Sequence, residues 1–502
     1  MEDAGLLITN QPVILITHEP AIPSTSSRIP DSGANSQRVT LSHPNHWLQK
    51  IVALSLMCVL GFGSYFCYDN PGALQDFFES DLHLKTSEFM LLYSWYSWPN
   101  IIMCSVGGLL IDGVFGIRLG TCIYALLVVI GQLLVAGGAF YNCFTLLIFG
   151  RFIFGIGGES LAVAQNSYAV LWFKGDLLNM VFGFQLSIAR AGSAVNFLLM
   201  NSLYKYVNNY FSGYQCLGIT LLIAGSSCLL SFFSGILLGL QDKNAERKLN
   251  RNQNQTGERI KLSDVKHFGK SFWIITFAIT FYYSAIFAFV ALGKVFFEKR
   301  FNLPANRANF VNSLLYFIAA FLAPALGIVI DKFGKNVTFV FLSLLITILG
   351  HILLTLPNID PIISMCFIGV AYSMIACALW PLIALVTPGH LLGTAYGIAQ
   401  SLQNLGTGVI QYIAGEIVDV YSYSVLEAYF IGCFILALFL ILLLWIQDWS
   451  TNGYLNMSTR QRKAFDKNNA TPEDVDSVER ERLLDSDYGS VSEEDQTHSE
   501  KK

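Results

Sequence analysis

Two ionisable side chains lie deep inside long apolar runs of this 502-residue chain. Glu159 ends the stretch Gly155-Ile-Gly157-Gly158-Glu159, and Arg190 sits in Ser187-Ile-Ala-Arg190-Ala-Gly-Ser193. At helical rise, Glu159 stands about 22 Å and Arg190 about 15 Å below one end of its own run, within the hydrocarbon layer of a bilayer. A charge at that depth costs several kcal/mol unless it meets a partner or an aqueous cavity. One chemistry is a structural ion pair that locks two neighbouring helices. The other is capture of a charged solute, with a carboxylate to hold an ammonium and a guanidinium to grip a carboxylate bidentately. The small residues around Arg190 leave room for a solute and favour the second.

Aromatic and amide residues supply the rest of a candidate cavity. Tyr65 and Tyr68 close the first apolar run, just before Asp69-Asn70-Pro71. Tyr282, Trp380, Gln403 and Asn404 occupy mid-run or hinge positions in the second half of the chain. These six are the candidate solute contacts, although Trp and Tyr also favour the headgroup level of a membrane. His351 is expected to be a hydrogen-bonded bundle histidine. Lys294, Glu416 and Asp419 are expected to snorkel to a nearby surface as structural residues. No nucleophile–base pairing, metal-ligand spacing or phosphate-cradling glycine loop occurs, so neither an enzyme, a metal nor a cofactor is expected. No basic stripe is present, which argues against nucleic acid as a partner.

The elements that must position these residues are membrane helices. The chain is 53% hydrophobic and 13% charged, whereas soluble domains carry roughly 25% charged residues. Runs of about 20 apolar residues suit a bilayer, and they fall at 47–69, 88–112, 118–140, 144–171, 176–200, 217–240, 271–295, 307–330, 335–357, 361–387, 392–419 and 424–449. The expected fold is therefore all-α, with twelve transmembrane helices in two six-helix bundles, 47–240 and 271–449. The polar stretch 241–270 between them carries Lys243, Arg247, Lys248, Arg251, Arg259, Lys261, Lys266 and Lys270. By the positive-inside rule this loop and both tails, 1–46 and 450–502, are cytosolic. The tails are polar and expected to be disordered. The first 46 residues lack the basic start and long apolar core of a secretory leader, so the first helix is expected to serve as the insertion signal.

A short pattern occurs twice, about half the apolar part of the chain apart. Gly108-Leu-Leu-Ile-Asp112 is followed by Gly116 and Arg118, and Gly327-Ile-Val-Ile-Asp331 by Lys332, Gly334 and Lys335. The glycine lets helices approach, and the aspartate can accept hydrogen bonds from the amino end of a facing helix. This pattern resembles the signature loop of the major facilitator superfamily. The first copy departs from it, with Gly113 in place of the usual basic residue and Gly116 one position late. Arg151-x-x-x-Gly155-x-Gly157 resembles a second signature of that superfamily, in which glycines pack closely against another helix. Such internal repeats place solute sites at their interface.

Both tails carry an acidic-dileucine pattern, Glu2 with Leu6 and Leu7, and Glu479 with Leu483 and Leu484. Each resembles an endolysosomal sorting signal that docks on a clathrin adaptor. The sequons at Asn254, Asn336, Asn456 and Asn469 all fall on the expected cytosolic side or its border. An unglycosylated chain in a lysosome needs tight lumenal loops or a glycosylated chain to cover them. Cys143 and Cys216 fall near expected lumenal turns, with no pattern to support a bridge between them.

The stretches GFGSYFCYDNP, YSWPN, GRFIFGIGGESLAVAQN, FGFQLSIARAGS, GKVFF, ACALWP and LGTAYGIAQSLQNLG look like the vertebrate lysosomal dipeptide uniporters of the superfamily. The resemblance covers 47–449, and in the tails only the N-terminal dileucine shares it. It implies a dipeptide substrate, a lysosomal membrane location, a glycosylated single-span accessory membrane protein, and Glu159 and Arg190 in the dipeptide cavity. Proton-coupled peptide carriers of the superfamily have a Glu-x-x-Glu-Arg run on their first helix. No acidic residue precedes Asp69 in the first run here, which favours facilitated diffusion. Two rival readings are a carrier of another solute, an organic anion or a sugar, and a transporter-like receptor or scaffold that moves nothing.

Overall fold

The computed structural model describes residues 47–173, 177–249, 268–356, 358–387, 391–451 and 453–469. The tail residues Glu2, Leu6, Leu7, Glu479, Leu483 and Leu484 lie outside them, as do the side chains of Asp112 and Asp331. In the first half, α1 (Trp47–Tyr68) gives way at Asp69 to two short helices, α2 (Asn70–Ala73) and α3 (Gln75–Asp81). Pro71 sits in the first turn of α2, where its missing N–H costs nothing. There follow α4 (Thr86–Ser97), α5 (Asn100–Leu110), α6 (Gly116–Phe140), α7 (Phe144–Trp172), α8 (Leu177–Val207), α9 (Gly213–Ala224) and α10 (Ser226–Leu249). The second half holds α11 (Lys270–Phe301), α12 (Ala305–Phe333), α13 (Asn336–Thr355), α14 (Pro361–Val386), α15 (Leu392–Val420) and α16 (Tyr423–Thr451).

Among the described residues, nine helical stretches are long and apolar enough to cross a membrane. The stretches outside that set are 86–115, 177–207 and 392–420. The first is broken at Pro99. The other two are diluted by polar residues such as Gln185, Arg190 and Asn196 or Gln400, Gln403 and Asn404, several of which face the interior.

Within the first half α1 packs on α8 and α10, and α6 on α7; in the second, α11 packs on α15 and α16, and α14 on α12 and α13. The halves meet along α8 with α12, along α4 and α5 with α15, and at one end through α2 and α3 with α11. The glycines of the Arg151 motif serve close packing. A Cβ on Gly155 would lie 2.3 Å from the Tyr96 carbonyl oxygen, and one on Gly157 2.7 Å from the Val128 nitrogen.

Several expected boundaries are corrected. The runs 88–112 and 217–240 are not continuous α-helices. The first breaks at Pro99 and ends in a π-helical turn, Ile111–Phe115, that contains Asp112, while the second is interrupted at Gly225. The stretch 241–270 does not begin as a loop. Asp242 and Glu246, one turn apart on α10, accept from the Arg118 guanidinium at 2.8 and 2.5 Å and carry the helix on to Leu249. Arg118 of the first repeat copy is thus held by α10.

The C-terminal tail does not become disordered at residue 450. A 3₁₀ turn (Tyr454–Asn456) and α17 (Thr459–Asn469) fold back over the loop of the second repeat copy. The Asp448 carboxylate accepts from the amides of Leu455 and Asn456 at 2.9 and 3.2 Å, and the Lys335 amide donates to the Met457 carbonyl at 3.1 Å. Gly334, at φ +66°, lies beneath this segment, where a Cβ would meet the Met457 carbonyl oxygen at 2.6 Å. The tail is ordered because its first amides find acceptors on the bundle instead of water.

Candidate functional site

The two halves enclose a cavity of ≈ 390 Å³, a size that suits a small solute. The first half contributes Tyr65, Tyr68 and Asp69 from the end of α1, Tyr96 from α4, Glu159 and Asn166 from α7, and Arg190 and Ser193 from α8. The second contributes Tyr283 and Phe287 from α11, Tyr316 from α12, Trp380 from α14, and Gln400, Gln403, Asn404 and Thr407 from α15. The four α15 residues recur at helical spacing and so share one face.

Glu159 accepts a hydrogen bond from the Tyr96 hydroxyl at 3.2 Å. Arg190 spreads its guanidinium over three tyrosine rings, Tyr65 at 5.8 Å, Tyr316 at 5.6 Å and Tyr372 at 5.3 Å. Tyr65 belongs to one half and the other two to the second, so both halves supply π faces to this cation. Among the described residues, Arg190 and Glu159 form no ion pair with each other or with a third group. The helix-locking ion pair weighed from the sequence is therefore absent from the described residues. What remains is a cavity that displays the Glu159 carboxylate and the Arg190 guanidinium separately, with Asp69 as a second carboxylate in its wall.

Arg151 has a different task. It is buried, donates to the carbonyls of Leu92 at 3.0 Å and Tyr68 at 3.1 Å, and sits 5.1 Å from the Tyr93 ring centroid. It ties α7 to the end of α1 and to the middle of α4, and it does not line the cavity.

Tyr65, Tyr68, Trp380, Gln403 and Asn404 all reach the cavity. Tyr282 does not, because adjacent helical residues point about 100° apart. It turns into the second half with its ring 5.7 Å from Phe434, and Tyr283 takes the cavity position beside Trp380 at 6.0 Å. Lys294 does not snorkel. It is fully buried and paired with Asp76. Asp419 is structural, accepting from the amides of Thr86 and Ser87 at 2.9 and 2.7 Å and so capping α4. His351 is hydrogen-bonded through Nδ1 to Glu427 at 2.8 Å, both residues being buried. Cys143 and Cys216 are free thiols.

Sequence reasoning missed Asp69, Ser193, Tyr316 and Asn166 as cavity residues. Asp69 falls at the very end of the first expected run, 47–69, and an acid in that place is the one hint of its role. Ser193, one turn beyond Arg190 on α8, could have been found by helical spacing alone.

A charged cavity between two helical bundles is the arrangement of a secondary transporter. The chain belongs to the Major Facilitator Superfamily, whose family profile matches residues 57–410. It is 50% identical over 441 residues to the lysosomal dipeptide transporter MFSD1 of Danio rerio, spanning 86% of this chain and 96% of that protein. It is 49% identical over 425 residues to the protein of the same name from Homo sapiens, spanning 84% and 91%. Among solved structures it superposes on the nucleoside transporter NupG (D323A mutant) with a TM-score of 0.61, at 14% identity, over 78% of this chain and 100% of that one. That last likeness concerns the fold alone.

Proposed function

We propose that this chain is a multi-pass protein of the lysosomal membrane that exports dipeptides from the lumen to the cytosol by alternating access, as a uniporter. The observation that carries the reading is the separate display of Glu159 and Arg190 in one cavity. A dipeptide holds its ammonium and carboxylate on the order of 6 Å apart, from the span of an extended residue. Glu159 would take the ammonium and Arg190 the carboxylate. Side-chain tolerance would come from the aromatic walls of Tyr65, Tyr68 and Trp380 and the amides of Gln403 and Asn404. The printed names of relatives at about half identity support the substrate class and the compartment.

In this reading the chain crosses the membrane twelve times with both tails cytosolic, as the basic residues of 241–270 favour. The end of the bundle carrying α2 and α3 is then lumenal. A glycosylated single-span accessory protein would shield the sequon-free lumenal loops, and a clathrin adaptor would read the dileucines. Depleting such an accessory chain should shorten the half-life of this protein, and lysosomal protease inhibitors should restore it. Unchanged turnover without it would remove that partner from the reading.

Uptake of a dipeptide panel into proteoliposomes, with and without a pH gradient, tests the function. Saturable uptake indifferent to the gradient is expected, and absence of uptake for every dipeptide would overturn the proposal. N-acetylated dipeptides should lose affinity in the wild type and much less in Glu159→Gln. Equal losses in both would remove Glu159 as the ammonium partner.

A further inference from the structure

We infer that Asp69 is a positioning residue of this cavity, a built-in counter-charge that competes with the carboxylate of the transported solute for Arg190 and so helps that solute to leave. The inference rests on the dipeptide reading above. Asp69 lines the cavity yet is only 2% exposed. It stands where α1 breaks into α2, and that break is pinned from three sides. Arg151 donates to the Tyr68 carbonyl at 3.1 Å, the Gly72 amide donates to the Tyr93 hydroxyl at 2.8 Å, and Asn196 donates to the Asn70 side chain at 2.6 Å.

The last contact sets the orientation. Arg190, Ser193 and Asn196 follow one another at three-residue spacing along one face of α8. With Asn70 held against Asn196, the preceding residue, Asp69, is set against Ser193, on the side of Arg190. The hydroxyls of Ser193 and Tyr316 stand beside its carboxylate, and Arg190 and Arg151 are the positive charges that act on it. Among the described residues Asp69 makes no ion pair, and its Oδ2 is buried without a hydrogen-bond partner.

An ionised carboxylate in that state depends on nearby positive charge acting through space. Arg190 and Arg151 supply that charge to Asp69, and Arg190 also acts on Glu159. A zwitterionic dipeptide adds no net charge. When its carboxylate docks on Arg190, however, it takes compensation that Asp69 had. Each bound dipeptide is thus opposed by a resident anion, and the grip of Arg190 stays weak enough for release.

The test is dipeptide uptake by proteoliposomes bearing Asp69→Asn, with Asp69→Ser as a second uncharged variant. KM should fall on the order of tenfold, since one nearby charge is worth about that much, and the maximal rate should fall with it. Inhibition of uptake by a C-amidated dipeptide should not tighten in either variant, because it brings no carboxylate to Arg190. A merely structural Asp69 would lower the rate without tightening KM. An unchanged or raised KM in the variants, or an equal gain for the amide, overturns the inference and leaves the dipeptide reading standing. If the wild type carries no dipeptide, that reading fails first and this inference falls with it.

Discussion

Lys294 of α11 and Asp76 of α3 form an ion pair that joins the two halves of the molecule. The Lys294 side chain is fully buried and lies 4.6 Å from the centroid of the Phe77 ring, which is itself stacked on Tyr204 at 3.6 Å. Beside it Asn309 donates to the Ala73 carbonyl at 3.0 Å, and Asp419 of α15 caps α4. All these bonds run between the halves, at the end that the proposed topology makes lumenal. A carrier that loads from the lumen must break them in every cycle.

Lys294 is fully buried while Asp76 is partly exposed, so removing the carboxylate strands the ammonium but leaves water near it. Asp76→Asn should destabilise the protein by about 1–3 kcal/mol. Combining it with Lys294→Met should recover much of that loss, because the stranded ammonium goes too. Thermal unfolding of the purified variants in detergent measures both. A double variant no more stable than Asp76→Asn alone would mean that the pair does not set the stability of this end.

Arg190 should be indispensable for transport and dispensable for folding. Arg190→Ala is expected to abolish dipeptide uptake while the protein still reaches lysosomes. Arg190→Lys should restore little, since an ammonium lacks the planar fork that holds a carboxylate and stacks on tyrosine rings. Uptake by Arg190→Lys near the wild-type rate would show that charge alone suffices.

Gly155 is expected to tolerate no side chain. A Cβ there would lie 2.3 Å from a backbone oxygen, so a helix and not a rotamer would have to move. Gly155→Ala should cost about 1–3 kcal/mol as an overpacking substitution. Gly432→Ala is the control, with nothing within 4 Å of the added atom. Similar melting temperatures for the two variants would contradict the close α4–α7 packing.

Lysosomal sorting should depend on the N-terminal dileucine. Leu6→Ala with Leu7→Ala should move much of the protein to the plasma membrane, as surface biotinylation would show. Retention in lysosomes after Leu483 and Leu484 are also changed to Ala would exclude dileucine sorting.

Properties that depend only on local composition were readable from the chain itself. Apolar runs of membrane length, the repeated Gly-x-x-x-Asp pattern and the basic central stretch pointed to a two-bundle carrier. The depth of Glu159 and Arg190 singled them out, because a charge within an apolar helix is costly wherever the helix packs. Packing decided the rest. Whether Tyr282 or Tyr283 faces the cavity turns on the rotation of α11, which no local pattern encodes. Whether Lys294 reaches water or Asp76 depends on α3, more than two hundred residues away in the chain. Asp69 becomes a cavity residue only when Asn196 of α8 holds its neighbour. The C-terminal segment is held in part by Lys335 and Thr338 beneath it. In each case the partner is remote in sequence, and only the assembled helices bring the two within reach of a hydrogen bond or an ion pair.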